Sequence, residues 1–410
     1  MTINNEHKKL NFSSEREQSQ ACLNSAEHEK NQGRKVLNVP NLRFPEFQGE
    51  WEKTKFGDIA TGFDYGMNAA AKNYDGVNKY IRITDIDEAS STYIDKDIVS
   101  PDDVLTDNYL VNNRDILLAR TGASTGKSYL YKKSDGKLYY AGFLIRANVT
   151  THDPYFVFSQ LHTHRYWRWV YIMSARSGQP GINSQEYSSF PIYTTSIEEE
   201  SKIAKLLSLL DERIATQNKI IEDLKKLKSA ISENLFKDVK GNIVMLSEIC
   251  EIIKGKQING EFLSESGKYY VMNGGTEPSG YYSDYNVEAN TISISEGGNS
   301  CGYIQFNPSP FWSGGHCYTI QKIADNVDNL YLYHYLKSQE DAIMKLRIGS
   351  GLPNIQKKDL AMFKIKIPAV EQQRTISTFL SSLERKAETE EMLLNAMKKK
   401  KQYLLRQMFI

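Results

Sequence analysis

Ser177-Gly178-Gln179-Pro180-Gly181-Ile182-Asn183 is followed by Phe190, Ile203, Leu207 and Leu210. Ser350-Gly351-Leu352-Pro353-Asn354-Ile355-Gln356 is followed by Phe363, Ile376, Leu380 and Leu383. Each matched pair lies 173 positions apart (350 against 177, 383 against 210). Self-similarity at so long a period decides the architecture before any local motif does. It predicts two similar halves, each a mixed module followed by a long helix.

The helices are read from periodicity. Ile203, Leu207, Leu210, Ile214, Ile221 and Leu224 recur three and four apart, with Gln217 and Lys228 interrupting the stripe and no Gly or Pro inside. Ile376, Leu380, Leu383, Leu394, Met397 and Leu404 form a second near-heptad seam. Such a seam needs a partner helix. The matched seams predict burial against each other, antiparallel, with a module at each end; homodimerisation through the same seam competes with this. The fold class expected is therefore α+β, with two similar mixed α/β modules separated by two long helices in an antiparallel coiled coil. Divisions fall at a polar tail over 1–38, a first module over 39–195, a helix over 196–240, a second module over 241–369 and a helix over 370–410. Lys79–Thr84 alternates as a half-buried strand does, and Asp115–Ala119 reads as a buried strand. Phe156–Met173 reads as a helix.

The 410 residues allow two or three domains. No run reaches the roughly 18 apolar residues of a membrane span, and the first residues carry no apolar leader segment. Four cysteines without C-x-x-C pairing point to reduced thiols and a cytoplasmic protein. The net charge of +1 lacks the basic excess of a free-standing DNA binder, but leaves room for DNA binding shared with more basic partners.

Several motifs resemble sites and fail on spacing. Thr121–Ser128 ends in Gly-Lys-Ser after a buried strand, like a phosphate loop. Thr121 occupies the first glycine position, however, and the next residues, Tyr129-Leu130-Tyr131, alternate like a strand rather than opening a helix. A tight turn presenting backbone N–H groups and small hydroxyls is expected instead. Asn307-Pro308-Ser309-Pro310-Phe311 resembles the Asn-Pro-Pro-aromatic loop of amino-methyltransferases, with an inserted Ser. Cys301, His316 and Cys317 lack a fourth zinc ligand and are expected to be a core cluster; His162 and His164 are expected at the surface. No catalytic, cofactor-binding or metal residue is expected in this chain.

At the helix starts the chain resembles a known family. Pro368-Ala369-Val370-Glu371-Gln372-Gln373-Arg374-Thr375-Ile376 is similar to the Pro-x-x-Glu-Gln-x-x-Ile signature of the DNA-specificity subunit of type I restriction–modification systems. Leu207–Ile214 resembles the family's following Leu-Ser-x-Leu-Asp-x-x-Ile. So do the opening Pro40–Phe47 with Glu50-Trp51, and Arg120-Thr121-Gly122 with Gly126-Lys127. Thr195 stands where Pro is expected, Glu199 where Gln is, and Glu384 where Asp is; Glu296 stands at the position of Arg120.

The resemblance implies a non-catalytic subunit whose two modules each read one half of a split DNA site. The helices would space the modules and dock two methyltransferase subunits, and restriction/translocase subunits would join. S-adenosylmethionine, ATP and magnesium would sit on those partners. Candidate contacts to double-stranded DNA are Arg82, Thr84, Arg120, Thr121, Ser124, Lys127, Gln179 and Asn183 in the first module. In the second they are Glu296, Asn299, Ser300, Tyr303, Asn354 and Lys357. Arg and Lys suit phosphates and guanine, and a carboxylate can accept from a cytosine amino group. A self-sufficient methyltransferase or NTPase, and a coiled-coil scaffold with modules that bind no DNA, are the alternatives.

Overall fold

Ile116, Leu117, Leu118 and Ala119 are all fully buried, as a strand covered on both faces requires, and the first domain is built around them. The computed structural model describes residues 37–175, 179–349, 351 and 353–410. Most of the tail expected over 1–38, and Ser177, Gly178, Ser350 and Leu352 of the repeated loop, lie outside the described residues. Two compact units emerge: residues up to Glu212 with Lys399–Ile410, and Arg213–Lys398.

In the first unit the chain runs β1 (Glu52–Lys55), α1 (Phe56–Ile59), β2 (Ala60–Tyr65), β3 (Ala70–Asn73), β4 (Lys79–Ile81), β5 (Val99–Asp102), β6 (Asp115–Ala119), β7 (Ser128–Leu130), β8 (Leu138–Tyr140) and β9 (Leu144–Val149). Then come α2 (Pro154–Gln160), α3 (His164–Ser174), α4 (Ser184–Ser188), β10 (Pro191–Thr194) and the start of α5 (Ile197–Asp238). The central sheet has the order β2-β9-β6-β7, and β1 pairs with β10 as a separate antiparallel ribbon. Trp51 and Phe156 meet edge to face, with centroids 5.4 Å apart. Ile203 and Leu207 of α5 and Leu404, Met408 and Phe409 from the chain's end join the same core. Lys401 pairs with Asp211 at 2.6 Å, which also accepts from the Tyr155 hydroxyl.

The second unit repeats this plan. It contains β11 (Asn242–Met245), α6 (Leu246–Ile249), β12 (Glu251–Lys254), β13 (Tyr269–Met272), β14 (Tyr281–Tyr282), β15 (Thr291–Ser295), β16 (Ile304–Asn307), β17 (Trp312–Ser313) and β18 (Cys317–Gln321). These are followed by α7 (Asn329–Ser338), α8 (Glu340–Met344), α9 (Lys357–Ala361), β19 (Lys364–Ile367) and α10 (Val370–Gln407). Its sheet order, β12-β18-β15-β16, matches the first sheet strand for strand, and β11–β19 matches β1–β10. Residues 213–238 of α5 run antiparallel to the first part of α10. Ile231, Leu235 and Phe236 share a core with Ile376, Leu380 and Leu383, while Ile221, Leu394 and Met397 are buried and Ile214 and Leu224 half-buried.

Both interruptions of the α5 stripe acquire partners. Gln217 is buried and its amide donates to the Glu390 carboxylate at 2.5 Å; Glu390 is the residue that the repeat sets opposite Gln217. Lys228 pairs with Glu384, which also accepts from the Tyr333 hydroxyl at 3.0 Å. The lysine and carboxylate repeat the Lys401–Asp211 pair, while the tyrosine comes from one turn further along its helix than Tyr155.

Three expectations are corrected. The strand expected over Lys79–Thr84 stops at Ile81, because the Asp85 carboxylate takes the Arg82 N–H at 2.9 Å and turns the chain. The helix expected over Phe156–Met173 is two helices, since the Thr163 hydroxyl caps a new start at Tyr166 N. His162 is not a surface group: Nδ1 meets the Phe158 carbonyl and Nε2 the Ser91 hydroxyl, both at 2.9 Å.

Candidate functional site

The turn after β6 and the turn after β15 are the same structure built from different side chains. Arg120 N–H donates to Phe143 O, and Glu296 N–H donates to His316 O. Gly122 N–H donates to Pro180 O, and Gly298 N–H to Pro353 O; Gly126 N–H returns to Ala119 O, and Gly302 N–H to Ser295 O. Gly126 and Gly302 both have φ of +91°, the left-handed region that glycine fills without strain.

These bonds correct one expectation. The N–H groups of Gly122, Thr125, Gly126 and Lys127 are consumed inside the fold, so the turn does not offer them as a cradle. Ser128–Leu130 follows as a strand antiparallel to β6, not as the helix that a phosphate loop needs. The Asn307 loop is likewise committed. Its amide, fully buried, donates to Thr291 O and Ser293 Oγ, and its oxygen accepts from Tyr270. Cys301 and Cys317 lie in the core while His316 is exposed. Among the described residues no three His, Cys, Asp or Glu side chains converge as metal ligands.

In the first domain, Arg82, Thr84 and Arg120 line one groove of about 660 Å³ with Tyr65, Met67 and Phe143. The Arg120 guanidinium lies over the Tyr65 ring, 4.6 Å from its centroid, a cation–π contact. Arg82 is held by a two-pronged contact to Asp85, both bonds 2.8 Å. Thr121 bridges to Gly181, which brings the Gln179 side chain beside the turn at Gly122; Ser124 ends the short helical turn over Gly122–Ser124 and is half-buried. Asn183 caps α4: its oxygen accepts from Glu186 N at 2.9 Å. Lys127 turns toward Glu88, 3.6 Å away. The exposed Phe143 on the groove and the exposed Trp167 and Tyr171 of α3 escaped the sequence reading; the Gly-Lys-Ser pattern drew attention to Lys127 instead.

In the second domain, Glu296 takes the place of Arg120 and is 8% exposed. One carboxylate oxygen accepts from Lys254 Nζ at 2.5 Å and from the Tyr318 hydroxyl at 3.0 Å. Burial pushes the Tyr318 phenol well up, and the carboxylate beside it adds to the shift, so Tyr318 stays a donor. Lys254 stands opposite Tyr318 in the sheet as Tyr65 stands opposite Ile145. The arginine–aromatic pair of one domain is thus a carboxylate–ammonium pair in the other. Asn354 bridges to Gly297 beside Glu296. Asn299 and Ser300 form the tip of the turn, and Tyr303 lies under Lys337 Nζ at 4.0 Å. Lys357 opens α9 and is exposed.

The model of the type I restriction modification DNA specificity domain matches residues 48–226 and again 239–399. The putative type I restriction enzyme MjaX specificity subunit of Methanocaldococcus jannaschii is 26% identical over 396 residues, 85% of this chain and 90% of its own. A putative type I specificity subunit of Mycoplasma pneumoniae is 36% identical over 138 residues, spanning 33% of this chain and 36% of that one. The crystal structure of the S subunit of a type I restriction–modification system from M. genitalium shares the fold. Its TM-score is 0.66 at 19% identity, covering 91% of this chain and 99% of that one. The chain belongs to the type I restriction–modification specificity subunits and carries their DNA specificity domain twice.

Proposed function

We propose that each domain reads one half of a bipartite, gapped target in double-stranded DNA, for enzymes bound alongside. The observation that carries this reading is the duplicated turn: one scaffold repeated in both domains, with Arg120 on Tyr65 in one and Glu296 on Lys254 in the other. A constant backbone with exchanged hydrogen-bonding groups suits two readers of different base edges. The first domain's groove supplies Arg120 and Arg82 for guanine or phosphate.

The partners are two methyltransferase subunits and restriction/translocase subunits in the cytoplasm, bringing S-adenosylmethionine, ATP and magnesium. Support comes from the long helices. Leu206 and Ile220 stay exposed on α5, and Phe379 and Leu393 stay exposed at the repeat-equivalent positions of α10. Two equivalent apolar faces suit two copies of one partner. Among the described residues no helix is long and apolar enough to cross a membrane.

The test is co-expression with a methyltransferase subunit in a host free of adenine methylation, followed by genome-wide mapping of N6-methyladenine. A gapped motif that appears only with this chain is the expected result. Exchanging residues 39–195 should alter one half-site alone; alteration of both halves would sink independent readout.

A further inference from the structure

We propose that Glu296 and Lys254 together read the exocyclic amino group of a base, cytosine N4 first, in the half-site of the second domain. The inference rests on the half-site reading and names the chemistry at one position within it.

Four observations carry it. Glu296 is nine-tenths buried, yet its second carboxylate oxygen has no hydrogen-bond partner. A buried carboxylate oxygen without a donor is unfavourable and calls for an explanation. The His316 ring nitrogen Nδ1 lies 3.8 Å from that oxygen, beyond hydrogen-bond reach, and its side chain is 63% exposed, so a surface side chain flanks the oxygen. The other oxygen takes the Lys254 ammonium and the Tyr318 hydroxyl, which also reaches Ile355 O at 3.1 Å, so the acceptor capacity left on the carboxylate lies on the buried, unpartnered oxygen. Finally, Lys254 has a side chain 52% exposed, leaving its ammonium with donors to spare.

The pair therefore sets an acceptor beside a donor. The major-groove edge of a G·C pair is the complement: the cytosine amino group donates next to the guanine carbonyl, which accepts. Glu296 would accept from cytosine N4 while Lys254 donates to guanine O6. An A·T pair also sets a donor beside an acceptor, adenine N6 next to thymine O4, so the preference for cytosine rests on the usual pairing of a carboxylate with cytosine N4. Arg120, at the same turn of the first domain, has no acceptor to offer and cannot read an amino group. Opposite charge at one scaffold position thus predicts opposite polarity of readout.

The experiment uses the assembled complex of this chain with its methyltransferase subunits, in a host free of adenine methylation. N6-methyladenine motifs are mapped for the unmodified chain, for Glu296→Gln and for Lys254→Met. A glutamine keeps the shape but adds a donor, which suits adenine. In Glu296→Gln, one position of the second domain's half-site should lose on the order of 10-fold or more of its preference for cytosine and admit adenine. Lys254→Met should weaken the same position and no other. The first half-site should be unchanged in both, which also shows that the complex assembled. If the position that relaxes is an adenine in the unmodified motif, adenine N6 is the group read. An unaltered motif in both variants would overturn the proposal and leave the cluster a structural one. So would loss of the whole motif in both variants while the complex still co-purifies. A complex that methylates without any gapped motif, even with the unmodified chain, would remove the half-site reading itself.

Discussion

The two helix starts solve one problem with different chemistry. Gln373, fully buried at the start of α10, donates its amide to Asn326 O and Pro368 O and accepts from Asp328 N. Glu200, fully buried at the start of α5, accepts from Thr195 N, Asp153 N and His152 Nδ1. Each side chain satisfies the N–H of the residue that caps an earlier, shorter helix, Asp328 or Asp153. The difference lies in the residue at the head of the long helix. Pro368 has no N–H and presents only a carbonyl, so the buried group must donate. Thr195 has an N–H, so the buried group must accept. Substitutions inside a repeat are therefore coupled, and one half cannot be edited toward the other one residue at a time.

The sharpest break of this comparison is Gln373→Glu. A carboxylate there would face two carbonyls with one donor. The expected loss is on the order of 3–5 kcal/mol, as for a buried charge without its partner. Urea unfolding would measure it, and a loss below about 1 kcal/mol would refute the coupling.

Acid sharpens the comparison next. Burial pushes His162 and His334 down to about 4, one in each domain. Both are neutral when folded, whereas the unfolded chain takes up protons below about 6.5. Stability is therefore present above that value and lost as pH falls from 6.5 toward 4, by up to roughly 3 kcal/mol for each histidine. Glu200 works the other way in the first domain alone. Burial raises its carboxyl above the ordinary value, with His152 and the two N–H donors opposing, so protonation relieves a folded-state penalty as pH falls. Gln373 cannot titrate. Hydrogen exchange followed from pH 7 down to pH 4 should show the second domain losing more protection than the first; equal losses would remove Glu200's role.

The coupling has its own cycle. Glu200→Gln should cost about 1–3 kcal/mol, because the new amide cannot accept from all the donors that now converge on the carboxylate. Adding Thr195→Pro removes one donor and supplies the arrangement of the second domain. The double variant should recover part of the loss, with an interaction term of at least about 0.5 kcal/mol. Strict additivity would mean that the two positions do not communicate.

How much of the molecule the sequence discloses depends on how far each signal reaches. The long helices were legible because their seams repeat every three and four residues, and the matching seams name each other as partners. The glycine turns were legible because a left-handed backbone leaves a residue signature at Gly126 and Gly302. Glu200 was not legible. Matching to the signature flags Glu199, which lies one position earlier and is taken by Arg43 at 2.7 Å; both carboxylates are fully buried, and only the packing shows which of them meets the helix-capping N–H groups. Tyr65 and Lys254 were hidden for a related reason. Their place beside the turns depends on strand register, and a bulge between Gly62 and Asp64 shifts that register in the first domain alone. A helix start such as Thr163 carries neither Gly nor Pro, so periodicity ran through it.

The smallest effect tests whether repeat-equivalent contacts are energetically equivalent. Lys401–Asp211 and Lys228–Glu384 occupy matching positions, each with a tyrosine hydroxyl on the same carboxylate. All four charged side chains are between 21% and 30% exposed, so each pair sits near the upper end of the range for partly exposed bridges. Lys401→Met and Lys228→Met should each cost about 1 kcal/mol. The methionine retains the apolar stem that a lysine lays along a helix, so the loss reports the charge. Added salt should shrink both losses together. One carboxylate is an aspartate and the other a glutamate, whose extra methylene carries one more rotamer to order. A difference beyond about 0.5 kcal/mol between the two losses would exceed that term and show that the halves do not weight their helix contacts alike.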